Sequence, residues 1–494
     1  MIGRVWGIVS VYLFIPLYLK FLGIEAYGLV GFYSTLLGVL AFADIGLTAT
    51  LSREMARLSV REDSSGEMGD LVRTYESTYL YISVILASIV WFSAPFIAER
   101  WLRASALPTG EIASAIRLMG IAIALQLPAN LYSGGLLGLQ KQVLTNSLQI
   151  AWGLLRGVGA VLVLWLISPT IFAFAVWQLF SNAVYCFAVR LSLWRALPCV
   201  ASKPRFNRLV LRDTWRYAAG MAGITFLSAI LTQTDKLVVS KMLPLEIFGY
   251  YTLAGSLAMA PLILASPIGV AVFPRLTGLV STGDRDTLEQ IYHRACGLVS
   301  VAVIPCALTL AMYAGNFVFA WTGSAIAAQK AGLVASFLLC GSIIQAILII
   351  PYYLALAHGN IKLNLRLGIV SVVLITPLLI FLIMKYGIVG GGVSWLVMNL
   401  CTLPPYMYFI HRRFLPGELQ KWVLRDVGRP LLVSLPIILL GRWLLPSTSS
   451  RIMIFGEIGL VWSVSAAAAA FTISELRHEF IKKTGKILGV SYGT

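Results

Sequence analysis

Charge is scarce in this sequence: 12% of its 494 residues are charged, while 59% are hydrophobic. A soluble chain carries about twice that charged fraction, so the three water-facing domains its length would suggest are excluded. Segments of about ten residues with alternating polarity are missing too, which excludes a transmembrane β-barrel. No CxxC occurs among the six cysteines, Cys186, Cys199, Cys296, Cys306, Cys340 and Cys401. They read as small apolar packing residues rather than a redox or metal set. The four histidines, His293, His358, His411 and His478, are far apart and make no metal-ligand pattern. No small-residue cleavage site follows the first apolar segment, so a cleaved leader is not expected. The chain starts close to that segment, which leaves room for an initiation point upstream. The two longest polar loops, 52–73 and 194–214, hold about twenty residues each, too few for a catalytic domain. Function must therefore sit among the apolar segments.

Those segments are long. In lipid every backbone N–H and C=O must be paired within its own element, so they are expected to be helices. Taking about twenty apolar residues per crossing, spans fall at 3–22, 27–51, 74–97, 112–136, 144–167 and 171–193. Six more follow at 215–237, 248–272, 291–318, 328–356, 365–384 and 388–410, with a final pair at 427–445 and 452–472. The expected fold is an all-α polytopic membrane protein of about fourteen helices.

The net charge of +17 suggests nucleic acid until its placement is considered. With the N-terminus in the cytoplasm, 27 of the 38 lysines and arginines fall in cytoplasmic loops and termini. That asymmetry is the positive-inside signature. It puts both termini in the cytoplasm and explains the basic balance without nucleic acid.

A repeat organises the chain. Phe21-Leu-Gly-Ile-Glu25-Ala-Tyr-Gly28 returns as Met242-Leu-Pro-Leu-Glu246-Ile-Phe-Gly249, and at the same offset Gly138 and Lys141 match Gly359 and Lys362. Arg53 lies one residue out of register with Arg275. Six helices separate the copies, so they have one orientation, and parallel repeats place a transport site between halves. The implied division is an N-lobe over 1–195, a basic linker over 196–213, a C-lobe over 214–411, and two added helices with a basic tail over 425–494.

Asp44 and Arg156 are ionisable groups at membrane depth, where each costs roughly 2.5–3.5 kcal/mol on insertion scales. They read equally as interhelical fasteners or as parts of a polar cavity. Gln126, Gln149, Gln178, Gln233 and Gln345 read first as interhelical hydrogen-bonding groups. Asp235-Lys236 reads as a local ion pair or a helix-end anchor, and Glu25 and Glu246 as carboxylates suited to helix starts. Pro261, Pro267 and Pro274 suit a kinked helix. Arg53 and Arg275 end equivalent helices. They either snorkel to the headgroups or present guanidiniums that bind phosphate bidentately. Lys362 and Arg366 fit the same role or the positive-inside bias.

The repeated segments, with Asp44-Ile-Gly46-Leu-Thr-Ala-Thr-Leu-Ser-Arg53-Glu54 and Thr234-Asp235-Lys236-Leu-Val-Val-Ser-Lys241, resemble polysaccharide flippases. These are the Wzx-type translocases of the multidrug/oligosaccharidyl-lipid/polysaccharide exporter superfamily. The resemblance implies two six-helix lobes about a central cavity, and a cargo of undecaprenyl-diphosphate-linked oligosaccharide turned from the cytoplasmic to the periplasmic leaflet. It implies Arg53 and Arg275 as diphosphate contacts, with Arg156, Arg366 and Lys362 in the same basic set. Asp44, Gln126, Gln233 and Asp235 are the polar cavity groups open to a coupling role. No cofactor is implied beyond proton or sodium coupling or the membrane potential. Membrane lipids, a polysaccharide polymerase and a chain-length regulator are the implied partners. The first helix carries no acidic residue, so the cation site of some multidrug members has no equivalent here. The other readings are a cation-coupled drug exporter and, in a different class, a membrane polymerase or glycosyltransferase.

Overall fold

A computed structural model describes residues 2–44, 46–61, 65–198, 204–444 and 450–472. Lys203 and the basic tail with Arg477, Lys482, Lys483 and Lys486 lie outside the described residues. Eighteen α-helices account for nearly all of what is described, and eleven stretches are long and apolar enough to cross a membrane. The chain is an all-α multi-pass membrane protein with about fourteen crossings. It divides into two compact units, Met1–Gly249 and Tyr250–Thr494.

The first unit holds α1 (Ile2–Leu40), α2 (Leu47–Leu58), α3 (Ser65–Phe96), α4 (Thr109–Gly138), α5 (Gln142–Leu166), α6 (Ile171–Ala196) and α7 (Arg208–Met242). The opening turns of α8 (Leu245–Ala258) also belong to it. Its densest packing joins α4 to α6 and α3, while α7 packs on α1 and α2. α1 is two crossings in one: Gly23 interrupts it at φ 78° and ψ 172°, a conformation open to glycine but not to most side chains. Just past that break, Glu25 accepts the backbone N–H groups of Ser105 and Ala106 at 2.6 and 2.9 Å. The carboxylate expected to favour its own helix start thus ties down the loop between α3 and α4. Glu246 does sit in the first turn of its helix.

The two copies of the repeated segment meet inside this unit. A Cβ on Gly28 would strike the carbonyl oxygen of Leu245, and one on Gly249 would strike that of Ile24.

The second unit holds α9 (Ala260–Thr282), α10 (Arg285–Met312), α11 (Ala314–Thr322), α12 (Ala325–Ile347), α13 (Ile349–Ala357), α14 (Ile361–Tyr386) and α15 (Ile388–Phe414). A connector with the single turn α16 (Leu419–Lys421) and a π-helical stretch, Trp422–Gly428, leads to α17 (Arg429–Leu444) and α18 (Arg451–Phe471). Tyr292, Val299, Val303, Ile347, Ile350, Ile410 and Trp422 are core residues linking α10, α12, α13, α15 and the connector. α17 and α18 pack on each other and on α10, and α18 also on α11. Arg451 fastens that hairpin by donating from Nε and Nη2 to the carbonyls of Ala320 and Trp321, at 2.8 and 3.1 Å.

Several crossings expected to be continuous are broken. The second, over 27–51, is interrupted by a 3₁₀ turn at Ala41–Asp44 and by Gly46 in the left-handed region. The eighth breaks at Met259, immediately before α9 with Pro261 in its first turn, where the missing N–H is tolerated. Pro267 and Pro274 instead stay inside α9. The tenth breaks at Leu348, three residues before Pro351, which cannot donate into the preceding turn. Large apolar side chains cover the outside, among them Phe92, Trp443 and Ile452, each at least 80% exposed and suited to lipid contact.

Candidate functional site

The break in the second crossing places a carboxylate where the helical ladder fails. Interrupting i→i−4 bonds leaves carbonyls to be satisfied from elsewhere. Tyr79 on α3 reaches in, its hydroxyl 2.7 Å from both Asp44 Oδ1 and the Asp44 carbonyl oxygen. Thr48, in the first turn of α2, donates to the same Oδ1. Asp44 is half-buried, so the carboxylate stands in a discontinuous helix, held by two hydroxyls. Discontinuous helices are a common element of transporter binding sites. No sequence signal marked Tyr79 as the partner.

Farther along α2, Arg53 is exposed and donates from Nε and Nη2 to Glu54 Oε1 at 3.2 and 2.8 Å. Arg57 Nε reaches Glu54 Oε2 at 2.8 Å. The buried Glu54 therefore aims two guanidiniums at once, which fixes Arg53 against one edge of its planar fork. A second carboxylate organises the neighbouring helices: Glu76, fully buried on α3, receives Arg73 at 3.1 Å, Arg190 of α6 at 2.5 Å and the Tyr132 hydroxyl of α4 at 2.8 Å. Sequence reasoning missed Glu76, because nothing local shows that α6 returns an arginine to it.

Arg156 and Gln178, singled out separately from the sequence, are brought together. Arg156 Nε donates to Gln178 Oε1 at 2.7 Å, and the guanidinium carbon lies 5.4 and 6.0 Å from the ring centroids of Trp152 and Tyr33. An arginine at membrane depth is thus solvated by an amide and two aromatic faces rather than by a carboxylate. Gln126 on α4 and Gln345 on α12 each keep a buried Oε1 with no partner among the described residues. Gln233 packs against Gly38 and accepts from Lys236 Nζ at 3.4 Å, while Lys236 also donates to the Thr232 carbonyl at 3.0 Å. Asp235 is half-buried in the same turn.

In the second unit Arg275 on α9 and Arg366 on α14 are exposed. Lys362 falls in α14, but its side chain is outside those described. A polar cluster that the sequence did not reveal lies at the start of α10. His293 Nδ1 is 2.5 Å from Asp426 Oδ2, its Nε2 is 3.0 Å from Glu418 Oε2, and Lys421 Nζ is 2.9 Å from Glu418 Oε1. Burial pushes the Asp426 carboxyl above its usual range, and the bond from His293 only partly offsets this. Burial works against the charge on Glu418 as well, but its bonds to Lys421 and His293 win and hold that carboxyl low. The two ring nitrogens face different carboxylates, and no group of the described residues has a metal-binding arrangement.

A family model described as "Polysaccharide biosynthesis protein" matches residues 7–280, more than half of the chain. The chain belongs to that family. A relative from Shigella flexneri, named "Putative O-antigen transporter", is 24% identical over 376 residues, 76% of this chain and 87% of its own. Among solved structures, the lipid II flippase MurJ in an inward closed conformation superposes with a TM-score of 0.69 at 14% identity, covering 98% of both chains. An inward-facing multidrug resistance MATE transporter of the MOP superfamily gives 0.70 at 14% identity, over 85% of this chain and 96% of its own. The polysaccharide biosynthesis family member described here thus has the fold shared by those flippases and exporters. By name, the proteins it is similar to are transporters rather than enzymes.

Proposed function

We propose that this membrane protein moves undecaprenyl-diphosphate-linked oligosaccharide repeat units from the cytoplasmic to the periplasmic leaflet by alternating access. It would serve O-antigen, capsule or exopolysaccharide assembly in the inner membrane, with both termini cytoplasmic. The observation that carries most weight is the family match over residues 7–280, taken with whole-chain likeness to a lipid II flippase. The basic groups support the same reading. Arg53 and Arg275 each carry a planar guanidinium suited to a diphosphate, and Arg366, Lys362 and Arg156 are further basic groups suited to an anionic cargo. Asp44, in its broken helix, would be the group that responds to cargo or to a coupling ion. Proton or sodium coupling, or the membrane potential, would supply the drive. A polymerase and a chain-length regulator would take the product onward. A drug-export reading is weaker, because no carboxylate occurs in the first crossing over residues 3–22.

The test is complementation of surface-polysaccharide assembly in a strain lacking this protein. Arg53→Ala and Arg275→Ala should each abolish it while the protein still reaches the membrane. Full complementation by the double variant overturns the diphosphate role. Absence of any accumulated lipid-linked intermediate in the deletion strain overturns the flippase reading itself.

A further inference from the structure

We propose that His293, Asp426 and Glu418 form a proton-binding site in the second unit, and that its occupancy controls docking of the connector before α17 onto α10. Both ring nitrogens of His293 lie at hydrogen-bonding distance from carboxylate oxygens, Nδ1 from Asp426 at 2.5 Å and Nε2 from Glu418 at 3.0 Å. Two such bonds need two protons distributed over the imidazole and the two carboxyls. A neutral imidazole facing two carboxylates carries one. Losing the second proton leaves a nitrogen lone pair against a carboxylate oxygen, where an attraction becomes a repulsion. Burial makes that exchange consequential: the His293, Glu418 and Asp426 side chains are 11%, 10% and 2% exposed.

The surrounding groups do not supply the missing proton. On α10, Arg285 engages Glu289 at 2.9 Å, and Asp286 and Arg294 line the neighbouring cavity. From the connector, Lys421 engages the far oxygen of Glu418, and Arg425 lines the same cavity. From α15, His411 Nδ1 is 3.0 Å from the Met407 carbonyl and its Nε2 is 3.4 Å from the Tyr292 hydroxyl. A carbonyl can only accept, so His411 is satisfied as a neutral ring whose Nε2 accepts from Tyr292. That cavity, of about 460 Å³, is also lined by His293, Glu418 and Asp426, so the dissociable proton borders a polar space.

Asp426 and Glu418 belong to the connector that delivers the chain into α17, so losing the second proton loosens that connector while the apolar packing of Trp422 and α17 on α10 remains. The hairpin's other end is insensitive. It is held by Arg451 on two backbone carbonyls and by an apolar cluster of Tyr313, Ala320, Ile438, Ile454, Ile458 and Val461. The site would act whatever cargo the chain carries.

Hydrogen–deuterium exchange of the full chain in lipid nanodiscs tests this, with rates normalised for the intrinsic pH dependence of amide exchange. Protection over residues 415–428 should fall at least about tenfold between pH 6 and pH 9, the effect of losing one charge-assisted hydrogen bond. Peptides from α18 should not change. In Asp426→Asn the amide can donate to a neutral imidazole, so protection should become independent of pH. Glu418→Gln, whose amide can donate to Nε2 while Nδ1–H is given to Asp426, should also be flat and serves if the first variant does not fold. A pH-independent wild type, a variant that keeps the wild-type fall, or an equal fall in α18 overturns the proposal.

Discussion

Gly28 and Gly249 make the same contact in exchange: each packs against the carbonyl oxygen of the residue four positions before the other. The copies of the repeat therefore recognise one another as the two faces of a two-fold interface do. Neither glycine has room for a Cβ.

Gly28→Ala and Gly249→Ala should each cost about 1–3 kcal/mol by overpacking against backbone that cannot swing aside. Thermal unfolding of the purified protein in detergent would show the loss. Gly66→Ala, where a Cβ meets nothing within 4 Å, is the control expected to melt like wild type.

Tyr79→Phe removes the hydroxyl that serves both the carboxylate and the carbonyl of Asp44. Leaving those acceptors short of a donor should cost about 1–3 kcal/mol. Asp44→Ala should lower the melting temperature as well. Wild-type melting in both variants would mean that this network does not hold the broken helix.

Glu76→Gln leaves Arg73 and Arg190 without their shared counter-charge. Removing one partner of a buried pair costs about 3–5 kcal/mol. Both arginines are nearly half exposed, so solvent screening brings the expectation to about 2 kcal/mol. Glu67→Gln, at the exposed pair with Arg61, should be indistinguishable from wild type in the same melt.

Arg156→Lys keeps the charge but loses the Nε bond to Gln178 and the flat surface against Trp152 and Tyr33. Complementation of polysaccharide assembly should drop at least about tenfold, against normal membrane levels. Full complementation by lysine would show that charge alone suffices there.

Much of the fold was legible because lipid makes a simple demand. Long apolar runs have one way to satisfy their backbone, and the fourteen segments follow from counting about twenty residues each. The breaks were less legible. Gly46 looks unexceptional in sequence, and only the position of Tyr79, 35 residues from Asp44, shows how an interrupted helix is completed. The site was legible residue by residue rather than as a set. Asp44, Arg53 and Arg156 each stood out as charges in apolar surroundings. Glu76 and His293 did not, since a glutamate at the edge of an apolar run and a lone histidine carry no local mark of what a distant helix brings. The arginine partners Glu54 and Gln178 were adjacent to candidates or were candidates, yet spacing alone did not pair Arg156 with Gln178.

The hold of Arg451 on the carbonyls of Ala320 and Trp321 bears on how such a chain can change length over evolution. Those carbonyls belong to the last turn of α11, where a helix leaves acceptors unpaired, and their donor comes from the final helix. A lineage shedding the terminal hairpin would have to acquire a replacement donor first. The last pair of helices is therefore not a detachable appendix but part of what terminates a helix more than a hundred residues earlier.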